Sequence, residues 1–406
     1  MNSVIRPAAD WELARFLREA TETQTPVEIL GGGSKRNAGR PGGDRTMIVT
    51  HVFRGIRLYE PTELVMAAEA GTLLVDIEHE LAQRGQMLAF EPVDLGPLLG
   101  MDAGLSTIGG VFSTDVAGSR RISTGAARDH LLGVQAISGA GEVFKSGGRV
   151  LKNVTGYDLA RLVCGSWGTL AALTEVTFKV LPRPEETATL VIVGLSNEIA
   201  VQALCAAMNT PFEVSGAVHL EANLVAQLRN DEFRAAGNSV TALRLENFSE
   251  FLPRRIEKLQ EELKLYGEIH VAGDDVSRSF WSELQELSAL QSSDRPIWRI
   301  STLPKSGAEV VAGIQSYMAA DAYFDWSGGL IWLSVPPSAD AGSTDIRRVL
   351  ATHGGHATLV RAAPEVRSAI EVFHPMDHGT ERMTRGLKQV FDPAGILNSG
   401  RMYVNV

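Results

Sequence analysis

The sequence predicts an α+β protein built in two parts, and three observations carry that reading. The chain has 406 residues, enough for two or three domains at about 150 residues each. Roughly its first 185 residues are dense in glycine and in short β-type runs, and they close on LTEVTFKVLPRP (Leu173–Pro184). That β-branched strand with a proline stop marks a boundary near Glu185. From Glu186 onward glycine thins and buried strands alternate with helical patterns, as in an α+β or α/β sandwich.

The elements have local causes. Asp10 caps a helix through Ala20, with Leu13, Phe16, Leu17 and Ala20 on one face. VEIL (Val27–Leu30) and MIVTHV (Met47–Val52) read as short strands flanking GGGSKRN (Gly31–Asn37). LVMAAEAG (Leu64–Gly71) is another strand. Thr72 then caps a helix that turns Leu73, Leu74, Ile77 and Leu81 inward and ends near Gly85. Between Gly100 and Gly148, strand-like pieces such as HLLGVQAI (His130–Ile137) alternate with turns such as GAGE (Gly139–Glu142). In the second part TLVIVGL (Thr189–Leu195), WRISTLP (Trp298–Pro304) and GGLIWLSVP (Gly328–Pro336) are strands. IAVQALCAAMN (Ile199–Asn209) and FLPRRIEKLQEELKLYG (Phe251–Gly267) are helices. The last segment, VFDPAGILNSGRMYV (Val390–Val404), is irregular and bears glycine again.

Composition narrows the function classes. A formal net charge of −10 offers no general basic face for nucleic acid. No run of 18 apolar residues is present, so no membrane span is expected. The opening MNSVIRPAADWEL lacks the apolar stretch of a signal peptide, which gives the expectation of a cytoplasmic protein. The two cysteines, Cys164 and Cys205, cannot frame a disulfide scaffold or an iron–sulfur cluster, which usually takes four thiolates. Cys164 lies in CGSWG, which lacks nucleophile-elbow spacing, and is read as buried and inert.

The glycine run poses the chemical question. No G-K-[ST] closes it, and Arg36 stands where a dinucleotide fingerprint has its third glycine. On the residues alone two readings stay open. One is an anion nest of converging N–H groups, with Lys35 or Arg36 neutralising charge; the other is an ordinary surface turn. STIGGVFSTDVAGSRR (Ser106–Arg121) is equally double. Gly109, Gly110 and Gly118, with Gly125 and Gly168 beyond, let a flat ligand lie on backbone, and Ser113, Thr114 and Ser119 offer hydroxyls. Alternatively, a glycine-rich β structure packs tightly on itself. His353, His356, His374 and His378, with Glu381, have possible metal-ligand spacings. No helix fixes the His353/His356 pair, and no metal is expected.

An ordered set of motifs is more specific. It comprises LGGGSKRN, YEPTELVMAAEAGT, GQMLAFEP, STIGGVFSTDVAGSRR, GAARDHLLG, KNVTGYDLARLVCGSWGTLAALTEVTFKVLP and FDPAGILNSGR. The set resembles the FAD-binding domain of the vanillyl-alcohol-oxidase (PCMH-type) flavoprotein superfamily. Within it, the set most resembles the FAD-binding E subunits of bacterial glycolate oxidases, also called glycolate dehydrogenases. The resemblance implies a PCMH-type FAD-binding domain of two α/β subdomains over 1–185. It also implies an α+β cap domain with an antiparallel sheet over 186–388, for substrate or partner, and a tail, 389–406, returning to the flavin domain. It implies that Gly31, Gly32, Gly33, Ser34, Lys35 and Arg36 receive the FAD pyrophosphate. Thr107, Gly109, Gly110, Ser113, Asp115 and Gly118 would line the flavin and its phosphates. Gly168, Glu175 and Val176 would meet the adenine side, and Asn398 and Arg401 would lie near the flavin. The tail reads N-S-G (Asn398–Gly400) where the family often has N-P-G. Arg128, Asp129 and His130 match the family and are read as structural.

The implied activity is FAD-dependent oxidation of a small 2-hydroxy acid, glycolate to glyoxylate. Many relatives attach FAD through a histidine near the glycine loop. None lies between Gly31 and Asp44, and His51 falls on an expected strand, so noncovalent FAD is expected. A 2-hydroxy acid needs a cation for its carboxylate and a base for its hydroxyl. His356, Arg361 and Arg299 are the candidates, against a surface or structural role for each. Two cysteines cannot house an electron relay, which points to a partner. The resemblance implies a second FAD-bearing subunit and an iron–sulfur subunit, with any inner-membrane attachment peripheral and through them. Competing readings are a stand-alone FAD-dependent dehydrogenase of D-lactate-like acids, a non-catalytic assembly subunit that keeps the fold, and a flavin reductase of cell-wall precursors. No basic pocket pattern supports the last.

Overall fold

Three short strands at the start of the chain form a parallel sheet: Val4–Ile5 (β1), Val27–Leu30 (β2) and Thr46–Val49 (β3), in the order β1-β3-β2. The structure is a computed structural model that describes residues 3–149 and 156–404. The KNVT of the KNVTGYD motif (Lys152–Thr155) therefore lies outside the described residues. Parallel strands need a crossover, and helix Asp10–Glu22 (α1) supplies the one from β1 to β2. Its buried face is Leu13, Ala14, Leu17 and Ala20, packed in one apolar cluster with Val27 and Ile48. Phe16, expected inward, is only partly buried and lies under the Arg15 guanidinium.

The second sheet comprises Ile56–Glu60 (β4), Val65–Glu69 (β5), Leu131–Ser138 (β6), Val143–Gly147 (β7) and Ala171–Lys179 (β8). It is antiparallel, in the order β4-β5-β8-β6-β7. The central β8 is buried along nearly its whole length, the signature of a strand covered on both faces. Helices Leu74–Ala82 (α2) and Ile108–Thr114 (α3) join this core through Leu74, Ile77, Leu81, Ile108, Val111 and Phe112. One local expectation and one of two open alternatives are corrected here. Thr72 does not cap α2: its hydroxyl donates to the Glu69 carbonyl at 2.7 Å and accepts from the Gly55 N–H at 2.9 Å. The glycines of STIGG do not form β structure but lie in α3. Helix propensity argues against a helix there, and the Thr107 hydroxyl, capping the Gly110 N–H at 3.3 Å, together with core packing overrides it.

These elements belong to one compact unit, Met1–Ala117, Gly125–Arg183 and Pro375–Val406; the other is Gly118–Thr124 with Pro184–His374. The second unit is built on an eight-stranded sheet. Its strands are Glu186–Val193 (β9), Gly216–Leu220 (β10), Val240–Asn247 (β11), His270–Ala272 (β12), Ile297–Ser301 (β13), Asp321–Asp325 (β14), Leu330–Ser334 (β15) and His356–Arg361 (β16). Their order is β12-β9-β11-β10-β14-β15-β13-β16, antiparallel throughout. Helices Asn197–Met208 (α4) and Leu252–Leu263 (α5) pack Leu204, Ala207, Leu259 and Leu263 onto Leu190 and Leu243. The segment 118–124 joins this unit by hydrogen bonding: Trp326 Nε1 donates to the Gly118 carbonyl at 3.0 Å, and Ser119 Oγ to Asp325 at 2.6 Å.

The segment that returns to the first unit begins at Pro375, earlier than the 389 read from sequence. Helix His378–Phe391 (α6), capped by Asp377, belongs with it. The reason is a buried ion pair. Lys388 Nζ donates to the carbonyls of Thr169 (2.8 Å) and Leu397 (3.0 Å) and lies 2.8 Å from Asp392. Asp392 accepts from the N–H groups of Ile396 (3.1 Å) and Leu397 (2.8 Å). Burial lowers the Lys388 pKa and Asp392 opposes that shift. Removing one partner of a buried pair strands the other, at a cost of about 3–5 kcal/mol. Lys388→Met is therefore expected to lower the unfolding free energy of the first urea transition by that amount, seen as a lower midpoint. An unchanged midpoint would show that the pair does not hold the returning helix.

Candidate functional site

The three glycines after β2 have different causes. A Cβ on Gly32 would lie 1.7 Å from the Leu105 carbonyl oxygen, and one on Gly31 2.4 Å from Thr107 Oγ1. Backbone contact excludes a side chain at Gly32, and the Thr107 side chain crowds one at Gly31. Gly33 has φ +79° with nothing within 4 Å of where a Cβ would stand. Its requirement is conformational, and the space before it is open. The Arg36 N–H donates to the Gly33 carbonyl at 3.0 Å and closes the turn. The N–H groups of Gly32, Gly33 and Ser34 have no acceptor among the described residues. They border an open concavity that Thr107, Gly109, Gly110, Ser113, Gly168 and Asn398 also line. Unpartnered N–H groups around a concavity form an anion nest.

Cationic groups beside the nest have distinct fates. Lys35 is buried, donates to Ser106 Oγ at 3.3 Å, and has its ammonium pKa pushed down to about 8 by burial, with Asp94 opposing. Ser106 Oγ in turn donates to Asp94 at 2.9 Å and lies 3.2 Å from Ser34 Oγ. Arg36 pairs with Glu28 at 3.1 Å. Arg401 donates to the Lys35 carbonyl at 2.6 Å and lies 3.6 Å from Glu28. It therefore braces the loop while also lining the cavity.

The opposite wall is held by one side-chain amide. Asn398 Oδ1 accepts from the Ile29 N–H at 2.9 Å, and its Nδ2 donates to the Trp167 carbonyl at 2.8 Å. A Cβ on Gly168 would lie 2.7 Å from that Nδ2, so glycine is required for the close approach. This pair of hydrogen bonds stands although Ser399 occupies the family's proline position. Thr107, Gly109, Gly110 and Ser113 complete the lining with Ala70, Ala171 and Leu173.

Four expected residues do not line the cavity. Asp115 ends α3 at φ +51° and accepts from the Arg128 N–H at 3.0 Å, so it builds a turn. Gly118 is drawn into the second unit by Trp326. Val176 is fully buried in the sheet core, and Glu175 lies opposite Glu69 and Gln135 in the ladder. Strand β8 reaches the cavity earlier in the chain, through Ala171 and Leu173. Sequence reasoning missed these two and Trp167, although Trp167 adjoins the expected Gly168. His51 is exposed in a turn, not on a strand.

In the second unit Arg361 is taken up structurally, donating to the carbonyls of Arg295 and Leu290 at 2.9–3.0 Å. Arg299 lies on β13 with its guanidinium carbon 5.2 Å from the Trp326 ring centroid, and His356 begins β16. No group of three metal-ligating side chains gathers among the described residues.

The FAD binding domain family matches residues 1–147. The Escherichia coli (strain K12) protein named glycolate oxidase subunit GlcE is 35% identical over 399 residues, covering 97% of this chain and 97% of its own length. The chain belongs to the GlcE family of FAD-linked oxidoreductases. A second relative of this GlcE-type chain is the Bacillus subtilis (strain 168) glycolate oxidase subunit GlcD, 24% identical over 443 residues, 99% of this chain and 89% of that protein. The solved structure of 4-ethylphenol oxidase from Gulosibacter chungangensis superposes with TM-score 0.71 at 14% identity, covering 99% of this chain and 89% of that one. The fold is the PCMH type.

Two outcomes follow for this GlcE-type chain. Gly32→Ala, which forces the loop off Leu105, is expected to yield protein with little or no flavin, read as the visible flavin absorbance per polypeptide. Wild-type flavin content in that variant would show that the close approach does not shape the site. For Lys35, an anion beside the amine raises its pKa. Affinity is then full below pH about 8 and declines as pH rises through it. A rise of one unit on binding corresponds to about tenfold. FAD dissociation measured by flavin fluorescence at neutral and alkaline pH is expected to show that decline, and Lys35→Met to flatten it.

Proposed function

We propose that this chain is the FAD-binding GlcE-type subunit of a complex that oxidises glycolate to glyoxylate. The observation that carries the reading is the match to Escherichia coli GlcE over 97% of both chains, which takes in both units. The residues suit the cofactor. The nest at Gly32, Gly33 and Ser34, with Lys35 beside it, would hold the diphosphate. Ala70, Ala171 and Leu173 offer apolar surface along the same cavity, and the Asn398 amide keeps its walls at a set distance. When bound, FAD supplies the two-electron acceptor that alcohol oxidation requires, while the protein positions the reactants and excludes water. No histidine lines the cavity among the described residues, which supports noncovalent attachment.

The electrons pass to partners. Burial pushes the Cys164 thiol well above its usual range, and Cys205 is shifted the same way, so neither is poised as a thiolate ligand. An iron–sulfur subunit and a second, GlcD-type FAD subunit are the proposed partners, the latter supported by the likeness of this chain to a protein of that name. No helix among the described residues is long and apolar enough to cross a membrane, and membrane attachment is assigned to those partners.

The test is the visible spectrum of the purified chain, alone and reconstituted with its partners, before and after anaerobic glycolate. The expected result is a yellow protein that releases its flavin on acid precipitation and bleaches with glycolate in the complex. Bleaching of the isolated chain would instead make it a self-sufficient dehydrogenase. A colourless chain, or a complex that stays oxidised, would overturn the reading.

A further inference from the structure

The turn Gly165–Gly168 borders the cofactor cavity and holds a bulky side chain where the backbone favours none. Trp167 stands at φ +54°, between Gly165 at +77° and Gly168 at +70°. Glycine takes such angles freely, whereas a bulky residue is strained by them. Bonds at both ends of the residue hold it there. Its N–H donates to the Ser113 carbonyl at 2.8 Å, and its carbonyl accepts from Asn398 Nδ2 at 2.8 Å. Both bonds use main-chain groups that a glycine would offer equally, so the turn itself has no need of an indole. Strain that the surrounding structure over-determines concentrates at functional positions, and the indole calls for a separate cause.

Its surroundings supply one. Trp167 is half-buried and lines the cavity beside Gly168, Ala171 and Leu173. Among the described residues it is the one aromatic side chain in that lining. The Arg401 guanidinium carbon lies 5.9 Å from its ring centroid, and the same guanidinium donates to the Lys35 carbonyl at 2.6 Å. A single side chain therefore reaches from the indole to the glycine loop, and the ring and the amide nest border one space. FAD carries a flat heteroaromatic ring on either side of its diphosphate, adenine at one end and isoalloxazine at the other. With the diphosphate at the nest, one of these rings falls on the Trp167 side. Ala171 and Leu173 offer that ring apolar area, whereas an indole adds a π face on which heteroaromatic rings stack.

We infer that the Trp167 indole is a stacking platform for one flat ring of the cofactor, adenine or isoalloxazine. The inference rests on the flavin reading of the cavity and adds a residue to it. The test titrates FAD, ADP and FMN calorimetrically into the full-length chain freed of bound flavin, as wild type, Trp167→Phe and Trp167→Leu. Both substitutions keep the main-chain bonds of the turn, and only Phe keeps a π face. FAD affinity is expected to fall about tenfold in Trp167→Leu and to be largely kept in Trp167→Phe. The loss is expected to fall on one half of the cofactor alone. Weakened ADP with unchanged FMN identifies the stacked ring as adenine, and the reverse identifies it as isoalloxazine. A side chain that merely shapes the turn would weaken ADP and FMN together, because both bring phosphate to the nest. That pattern overturns the platform, as does an equal loss in Trp167→Phe or wild-type FAD affinity in Trp167→Leu. A wild-type chain that binds no FAD overturns the flavin reading itself, and the platform with it.

Discussion

Direct contact of main chain on main chain at Gly32 is the constraint on which the cofactor cavity depends. With the Leu105 carbonyl 1.7 Å from where a Cβ would stand, no side chain is tolerated. The strand end at Leu30 therefore lies against the segment that leads into α3. Two consequences meet there. The loop must turn at once, which Gly33 permits at φ +79°, and its next amides are left facing open space. An anion site thus arises from a packing requirement as much as from a demand for flexible backbone.

The rest of the first unit keeps that contact in place. Asn398 joins β2 to the Trp167 turn with one amide group, and Lys388 and Asp392 fix the approach to Asn398 from a buried ion pair. Each relies on a chain end or turn whose backbone groups lack ladder partners, and a polar side chain supplies the missing bond. Charge is handled in the same way. Glu28 draws Arg36 and approaches Arg401. Buried Lys35 is thereby the cation at the nest whose protonation responds near neutral pH.

The second unit shows a related economy in its ionic groups. The buried pair Arg120–Glu246 ties segment 118–124 to β11, and the Arg244 guanidinium of the same strand packs on Trp281. One residue further on, Arg121 has no such burial and rests on Trp326. Adjacent arginines in SRR thus take opposite parts, one inside and structural, one outside and available to solvent.

By itself the sequence determined the local elements and the chemical character of the loops. β-Branched runs ended by proline or glycine became strands, the amphipathic spacing of Leu13, Leu17 and Ala20 became a helix face, and the ordered glycine motifs identified the flavin fold. These are short-range properties, set by side-chain periodicity and allowed φ. The tertiary structure decided whatever depended on a distant partner. It folded STIGG into a helix against its propensity, and it sent Gly118 to the second unit and Val176 to the core. It also tied Arg361 to carbonyls and brought Arg121 to Trp326. A side chain's role is set by the charge or hydrogen-bond partner nearest to it, and that partner stands, in these cases, up to a few hundred residues away along the chain.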